Sequence, residues 1–190
     1  MRRKEYNKNI KTAEQFRSFK MEGIVKQKIK RKQNNSARCI VCGDQNKASL
    51  NCRFYELENG ETAATFRSED WHQSYPGRMH GGMAAGVLDE LIGRAAANGR
   101  DDFWGVTVEL RLKYKKTIPT EADLKAVARV TRQNRKLFEG TGEILLEDGT
   151  VAVEAWGKYM IMPLDKISDG SFEETEWYRI EEDDPEEIDL

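Results

Sequence analysis

One apolar segment in the middle of the chain constrains the fold more than any other feature. From Met83 to Ala97, apolar residues recur at three- and four-residue steps, and most of the remaining positions are alanine or glycine. This pattern predicts an α-helix that is apolar on nearly all sides and therefore buried in the protein. His80, Gly81 and Gly82 precede the segment and are placed to begin the helix.

Asp89 is out of place in this helix, because an unpaired carboxylate in an apolar interior is costly. Its neighbour Glu90 has a simple explanation, since Arg94 follows four residues later and can form a favourable surface pair with it. Asp89 has no such partner, and at helical spacing it shares a stripe with small residues: Gly82, Ala85 or Gly86, Gly93 and Ala96. The stripe leaves room for a ligand beside the carboxylate. Alternatively, it lets sheet strands pack closely while backbone or water satisfies Asp89.

The beginning of the predicted helix offers a second chemical feature. A helix N-terminus has unpaired backbone N–H groups and a partial positive charge, and glycine lets a ligand approach without a Cβ in the way. Gly81 and Gly82 can therefore donate to a carbonyl oxygen that becomes negative as a tetrahedral intermediate forms. The alternative is that the two glycines only permit tight packing at the loop–helix junction.

Strand patterns flank the helix on both sides. Alternation of apolar and polar residues predicts two strands around a turn before the helix. After the helix it predicts four strand-like runs, at 106–114, 124–130, 138–146 and 151–162. Two strands, one long helix and four runs joined by short turns predict an α+β domain, with an antiparallel sheet around one helix.

Charge is distributed unevenly, although the formal net charge of the 190 residues is only −2. The first thirty-odd residues are basic, and a capping-box spacing at Thr12 and Gln15 predicts an extra helix over about 12–32, docked on its own domain, a partner or a membrane surface. The last residues are acidic. The predicted organisation is a basic helical extension at 1–36, one domain at 37–163 and an acidic tail at 164–190, with both charged ends dispensable for chemistry.

Composition also excludes several classes of protein. No apolar run approaches the length of a membrane span, and the basic start lacks the apolar stretch of a signal peptide. The three cysteines then suit a reducing compartment, so the expected location is cytoplasmic. Basic residues on the predicted strands are interleaved with acidic ones and lack a stacking-aromatic pattern, which argues against a nucleic-acid partner.

Cys39 and Cys42 form a CxxC pair, which is half of a zinc site. Cys52 and His72 can in principle complete four ligands. Cys52, however, falls on the apolar face of its predicted strand, where a buried thiol needs no metal. A metal is therefore not expected, and redox chemistry still less, since no thioredoxin-like context accompanies the pair.

These motifs together resemble a known family. His80-Gly81-Gly82, followed at this spacing by Leu88-Asp89-Glu90, resembles the hotdog-fold thioesterases of the PaaI-like branch, and the likeness extends from Cys39 to about Pro163. The resemblance implies a hotdog fold, with the sheet wrapped around the helix that starts at His80. It implies Asp89 as general base or nucleophile in the hydrolysis of an acyl-CoA thioester to a carboxylate and free coenzyme A, without a metal or redox cofactor.

The resemblance also implies a homodimer, often doubled into a homotetramer, with the site at the dimer interface. The long strand at 106–114 supports a dimer, because a regular strand edge prefers to be paired. His80 is expected to orient groups at the helix start, and Gln73 or Ser74 falls where related enzymes position water or the carbonyl with an Asn or Gln. Three basic residues are candidates for the phosphates of coenzyme A: Lys116, Arg132 and Arg135.

Two other functions remain open. A non-catalytic hotdog module that binds acyl-CoA would keep the helix and the pocket, but the presence of Asp89 argues against it. An acyl-CoA dehydratase on the same fold would need an Asp and His pair in a different motif, which the sequence lacks. Release of free thiol from a panel of acyl-CoA thioesters separates these functions.

Overall fold

One helix and a long antiparallel sheet dominate the structure, a computed structural model that describes residues 25–168 and 175–190. The helix, α1, spans Gly81–Ala95. The strands, in chain order, are β1 (Lys26–Lys32), β2 (Asn35–Ser36), β3 (Arg53–Leu57), β4 (Thr62–Ser68), β5 (Gln73–Tyr75), β6 (Arg78–Met79), β7 (Gly105–Tyr114), β8 (Ala122–Gln133), β9 (Leu137–Leu145), β10 (Val151–Ile161), β11 (Trp177–Tyr178) and β12 (Glu187–Asp189).

Eight of these strands form one sheet in the order β12-β1-β3-β4-β8-β9-β10-β7. Neighbouring strands are antiparallel, and two tight turns join β3 to β4 and β9 to β10. Gly60 and Gly149 in these turns have φ of 86° and 77°, a backbone region that glycine adopts without strain. Helix α1 packs against β4, β7, β8, β9 and β10. The predicted α+β arrangement is confirmed.

The core lies between α1 and the inner face of the sheet. The helix buries the positions that its periodicity singled out: Ala84, Val87, Leu88, Leu91, Ile92 and Ala95. Facing them are large side chains of the strands, including Phe54, Phe138 and Ile144. Complete burial of one such side chain stabilises the fold by about 1.5–3 kcal/mol. Within the described ranges, no helix is long and apolar enough to span a membrane.

The predicted N-terminal helix is wrong over residues 26–32, which form the strand β1. Exposed and half-buried residues alternate along this strand, and Ile29 pairs with Leu57 of β3. The period is therefore two residues, as in a strand, and not 3.6. The capping box at Thr12 and the first part of the predicted helix lie outside the described residues.

The acidic end of the chain is bound to the fold and is not simply a solvated tail. Strand β12 pairs with β1, and Ile188 and Leu190 are both buried. The ammonium of Lys32, only 3% exposed, forms ion pairs of 2.7 Å with Glu182 and Asp184. Two acidic residues of the C-terminal segment therefore neutralise the buried charge of Lys32. Because these partners lie far apart in sequence, no local pattern indicated the pairing.

Candidate active site

Asp89 lies in the middle of α1 and is held by two hydroxyl groups from the sheet. Its Oδ1 accepts hydrogen bonds from Thr107 Oγ1 at 2.8 Å and from the Tyr159 hydroxyl at 3.1 Å. The same Tyr159 hydroxyl lies 2.9 Å from the backbone oxygen of Asp89. The carboxylate thus has the compensating donors that an ionised group in a half-buried position needs.

Tyr159 is a fixed hydrogen-bond donor at this site. Burial raises the pKa of its phenol, and the negative charge of Asp89 raises that pKa further, so Tyr159 stays protonated. Its ring stacks on Phe138 with a centroid distance of 4.9 Å. Glycine at position 157 makes room for the ring, since a Cβ there would lie 2.5 Å from it. Neither Thr107 nor Tyr159 was identified from the sequence, where both occupy ordinary positions in alternating strands.

A cavity of about 330 Å³ opens beside Asp89, and Thr107 and Tyr159 also line it. Gly93, one turn along α1, forms part of its wall, so the stripe of small residues does leave space next to the carboxylate. Much of the remaining wall is aromatic, from Phe103, Trp104, Tyr159 and Trp177. The rings of Trp104 and Trp177 have centroids 5.0 Å apart. Trp177 belongs to the C-terminal segment, which therefore reaches the cavity.

His80 caps the N-terminus of α1. Its Nδ1 accepts a hydrogen bond of 2.8 Å from the Gly82 amide, so this nitrogen carries no proton. The Tyr114 hydroxyl donates to the Gly81 carbonyl at 2.8 Å. Gly81 and Tyr114 line a second cavity, of about 350 Å³. The predicted role of His80 in orienting the helix start is consistent with this cap.

The structure does not bring the helix N-terminus and Asp89 together within one chain. Gly81 lines the second cavity, whereas Asp89 lines the first. Asp89 lies seven positions after Gly82, which at 1.5 Å per residue is about 10.5 Å along the helix axis. One carbonyl group cannot touch both. The predicted meeting of a Gly81 or Gly82 donor with the Asp89 carboxylate therefore stays a prediction for a site at the dimer interface.

The other predicted site residues are scattered. Gln73 lies exposed on β5, and of the two approach-loop candidates Ser74 lines the second cavity. Lys116 lines that cavity too. Arg132 instead lines a small cavity of about 130 Å³ at the end of β8, and Arg135 is exposed in the turn that follows. The three basic residues proposed for coenzyme A do not form one patch within the chain.

Glu90, next to Asp89, joins a separate polar cluster. Its Oε1 accepts from Arg94 Nη2 at 2.7 Å and from Arg94 Nε at 2.9 Å. The predicted pair exists, but its side chains are only 21% and 10% exposed, so it is not a surface pair. The Arg94 guanidinium also lies over the Phe54 ring, 4.2 Å from its centroid. The second carboxylate oxygen of Glu90, Oε2, lies 3.2 Å from Cys39 Sγ.

The four-ligand zinc set considered from the sequence is not assembled. His72 Nε2 lies 3.0 Å from the Ala48 carbonyl, and its Nδ1 accepts from the Glu69 amide. Among the described residues, the group of possible ligands around Cys39 and Cys42 contains Glu90 instead of His72 or Cys52.

Comparison with known proteins identifies the fold. Residues 76–153 match the family model of the thioesterase superfamily. No curated protein matches the chain. A solved thioesterase superfamily protein superposes with a TM-score of 0.60 at 26% identity, over 65% of this chain and 60% of that protein. This chain thus spans less than two thirds of that relative's length.

Two further solved structures are similar in fold. The PaaI protein from the phenylacetic acid degradation operon of E. coli has a TM-score of 0.54 at 16% identity, over 60% of this chain and 80% of that one. A Streptococcus mutans protein solved with bound acetyl CoA has a TM-score of 0.50 at 18% identity, over 55% of this chain and 82% of that one. These similarities confirm the predicted hotdog fold.

Proposed function

We propose that this chain, whose residues 76–153 match the family model of the thioesterase superfamily, hydrolyses acyl-CoA thioesters to a carboxylate and free coenzyme A. The observation that carries the proposal is the Asp89 carboxylate, held by Thr107 and Tyr159 at the wall of a cavity of about 330 Å³. The acetyl CoA in the S. mutans structure supports a coenzyme A thioester as the class of substrate.

Asp89 acts either as general base or as nucleophile. The hydrogen bonds that the described residues donate to this carboxylate go to Oδ1, so Oδ2 is the oxygen available to the reactants. As a base, Asp89 takes a proton from water while the water oxygen attacks the thioester carbon. As a nucleophile, Oδ2 itself forms the new C–O bond, and water later hydrolyses the resulting anhydride. In both routes the C–S bond breaks and coenzyme A leaves.

The helix N-terminus polarises the thioester carbonyl. Of the first three helix amides, Gly82 donates to His80 Nδ1 and Met83 donates to the His80 carbonyl. The Gly81 amide is therefore the best candidate for the donor to the developing oxyanion. Losing such a donor costs about 2.7–4 kcal/mol in the reaction barrier.

A second copy of the chain supplies this helix N-terminus to Asp89. β7 is an edge strand, and its Val108 and Tyr114 side chains are more than half exposed, at 53% and 54%. Thr107, which holds Asp89, lies near the beginning of β7, whereas Tyr114, which holds Gly81, lies at its end. Antiparallel pairing of two β7 strands about a two-fold axis brings the beginning of the strand in one copy, with Thr107, close to the end of the strand in the other, with Tyr114. This pairing brings the helix N-terminus of one copy next to the Asp89 carboxylate of the other. Because of the two-fold axis, each homodimer has two such composite sites.

Lys116 is the strongest of the three candidates for coenzyme A phosphates, because it lines the same cavity as Gly81. Arg132 and Arg135 would serve only if the second copy brings the end of β8 to that cavity.

The test is a panel of acyl-CoA thioesters with detection of the released thiol, using the full-length protein. We expect release that depends on protein concentration for at least one acyl group, and dimers in solution by light scattering. The competing function, a non-catalytic acyl-CoA-binding module, predicts binding of the same thioesters by calorimetry without thiol release. That result would refute the enzymatic proposal.

A further inference from the structure

We propose that Cys39, Cys42 and Glu90 form a binding site for a divalent transition metal ion of the zinc type. Such an ion would tie the CxxC turn to α1 at the residue next to Asp89. Its role would be structural, since the hydrolysis proposed above needs no metal.

The positions of the three ligand atoms fit such an ion. The two sulfurs and a carboxylate oxygen of Glu90 all lie within 4.8 Å of one another, and Cys39 Sγ is 3.2 Å from Glu90 Oε2. Zinc binds sulfur at about 2.3 Å and carboxylate oxygen at about 2.0–2.2 Å. Ligand atoms of a tetrahedral site are then roughly 3.5–3.8 Å apart, from the same bond lengths. Small side-chain rotations therefore suffice to enclose an ion.

The backbone of the CxxC turn holds both sulfurs in place through amide hydrogen bonds. The Val41 amide donates to Cys39 Sγ at 3.3 Å, and the Ser36 amide donates to Cys42 Sγ at 3.4 Å. The turn closes through a 2.9 Å bond from the Gly43 amide to the Cys39 carbonyl. A Cβ at Gly43 would lie 2.5–2.7 Å from backbone atoms, so only glycine permits this closure.

Zinc binds cysteine sulfur in its deprotonated form, so binding of the ion would release protons from this pair.

Arg94 completes the balance of charge. Two thiolates and one carboxylate carry three negative charges, which a divalent ion and the Arg94 guanidinium together neutralise. Arg94 bonds to Oε1 of Glu90 and leaves Oε2 on the side of Cys39. This is the arrangement of an outer-shell partner that orients a ligand. A bound metal ion also explains why the Glu90 carboxylate lies beside the thiol pair, since a disulfide would not require a carboxylate there. Three protein ligands leave one position of a tetrahedral site to water.

The experiment is a titration of reduced, chelator-treated, full-length protein with Co²⁺, followed by thiolate-to-cobalt charge-transfer absorption. We expect one Co²⁺ per chain, displaced by Zn²⁺. Cys39→Ser and Cys42→Ser should lose the absorption band. Cys52→Ala is the matched control and should keep it, because Cys52 is outside the ligand group. Glu90→Gln should retain the thiolates and bind at least about tenfold more weakly, since even outer-shell partners contribute that much.

Thermal unfolding gives an independent measurement, since an ion that binds only the folded state raises the Tm of the protein. Zn²⁺ should raise the Tm of the parent and of Cys52→Ala, but not that of Cys42→Ser. Absence of Co²⁺ binding by the reduced parent would overturn the site, as would an unchanged affinity in Glu90→Gln. Loss of two hydrogens by mass spectrometry, together with no metal affinity after reduction, would assign the pair to a disulfide instead. None of these outcomes depends on thioesterase activity.

Discussion

The hydroxyl of Tyr159 on β10 donates a 3.1 Å hydrogen bond to Oδ1 of Asp89 on α1, although the two residues are 70 positions apart in the sequence. The sheet therefore fixes the orientation of the carboxylate, and the helix alone does not. Because Tyr159 is 1% exposed and stacked on Phe138, its hydroxyl has little freedom to move. A rigid donor of this kind keeps a catalytic group in position at no further entropic cost when substrate binds.

Asp89→Asn should lower kcat at least about a hundredfold, the scale of positioned acid–base chemistry. The amide oxygen can still accept from Thr107 and Tyr159, so fold and acyl-CoA binding should persist. The measurements are steady-state thiol release and calorimetric binding of a non-hydrolysable acyl-CoA analogue. Asp165→Asn is the control, because Asp165 is 72% exposed and lies outside the cavity. Normal turnover by Asp89→Asn would exclude the proposed mechanism.

Removal of either hydroxyl that holds Asp89 should slow the reaction without preventing binding. A hydrogen bond to a charged group contributes about 1.5–3 kcal/mol, so Thr107→Val and Tyr159→Phe should each reduce kcat roughly ten- to hundredfold. Thr131→Val on the exposed part of β8 is the control. If both variants reduce only substrate affinity and leave kcat unchanged, the two hydroxyls bind substrate and do not orient Asp89.

The sequence identified Asp89 but not its partners, and the reason is physical. A carboxylate on an apolar helix breaks a periodic pattern and is visible locally, whereas Thr107 and Tyr159 fit the alternation of their strands. Their role arises only when β7 and β10 pair beside α1. The helix and β7–β10 could be predicted because apolar residues recur along each of them with a clear period in the sequence. The segment at 26–32 was misread because its apolar content is a single isoleucine, Ile29, among charged residues.

The docking of the C-terminal segment on β1 was not predicted, for a related reason. Charge runs are usually solvated, so each end read alone predicts an extension. Lys32 is buried only because Glu182 and Asp184 come to it from 150 positions away. Helical periodicity placed Gly82 and Asp89 on one stripe, but it did not show that the helix start and Asp89 line different cavities within one chain.

Deletion of residues 175–190 should destabilise the protein, although the sequence predicts that the acidic end is dispensable for chemistry. The deletion leaves Lys32 without its carboxylates, and breaking a buried pair costs about 3–5 kcal/mol. It also removes Ile188 and Leu190 from the core and Trp177 from the cavity wall. Urea unfolding should show a lower midpoint. Asp183→Asn, an exposed change in the same segment, is the control. Equal stability of the truncated and full-length chains would mean that this segment is not docked in solution.

Glu56 should make the fold sensitive to acid. Burial raises the pKa of this carboxyl, but hydrogen bonds from Arg31, Gln33 and the Gly99 amide outweigh burial, and its pKa falls below the ordinary 4.5. A group with a lowered folded-state pKa stabilises the fold above its unfolded pKa, and the contribution disappears as the pH falls through the folded pKa. Glu56→Gln should therefore be less stable at pH 7 and lose less stability between about pH 5 and pH 3. Urea unfolding at several pH values measures this, with exposed Glu58→Gln as control. Parallel pH profiles for Glu56→Gln and the parent would contradict it.

A composite site makes a prediction that a single-chain site does not. Gly82→Val should be inactive, because even the Cβ would lie 2.9 Å from His80 Nδ1 and would displace the helix cap. Asp89→Asn should be inactive for loss of the carboxylate. In a dimer of one chain of each variant, one of the two sites combines an intact helix N-terminus with an intact Asp89, while the other has both defects. Such heterodimers should regain about half of the parent activity, since the two-fold axis generates two sites.

The heterodimer is obtained by co-expressing the two variants with different affinity tags and purifying on both tags in sequence. Each variant, purified alone as a homodimer, is the control and should be inactive, while folding is checked by circular dichroism. Asp89→Asn co-expressed with a differently tagged copy of itself should also stay inactive, which excludes an effect of the tags. A folded heterodimer without activity would contradict the composite site. It would mean either that the carbonyl donor and Asp89 belong to the same chain, or that the thioester carbonyl does not bind at the helix start. Because Gly82 and Asp89 are about 10.5 Å apart along one helix, we expect recovery across the two-fold axis.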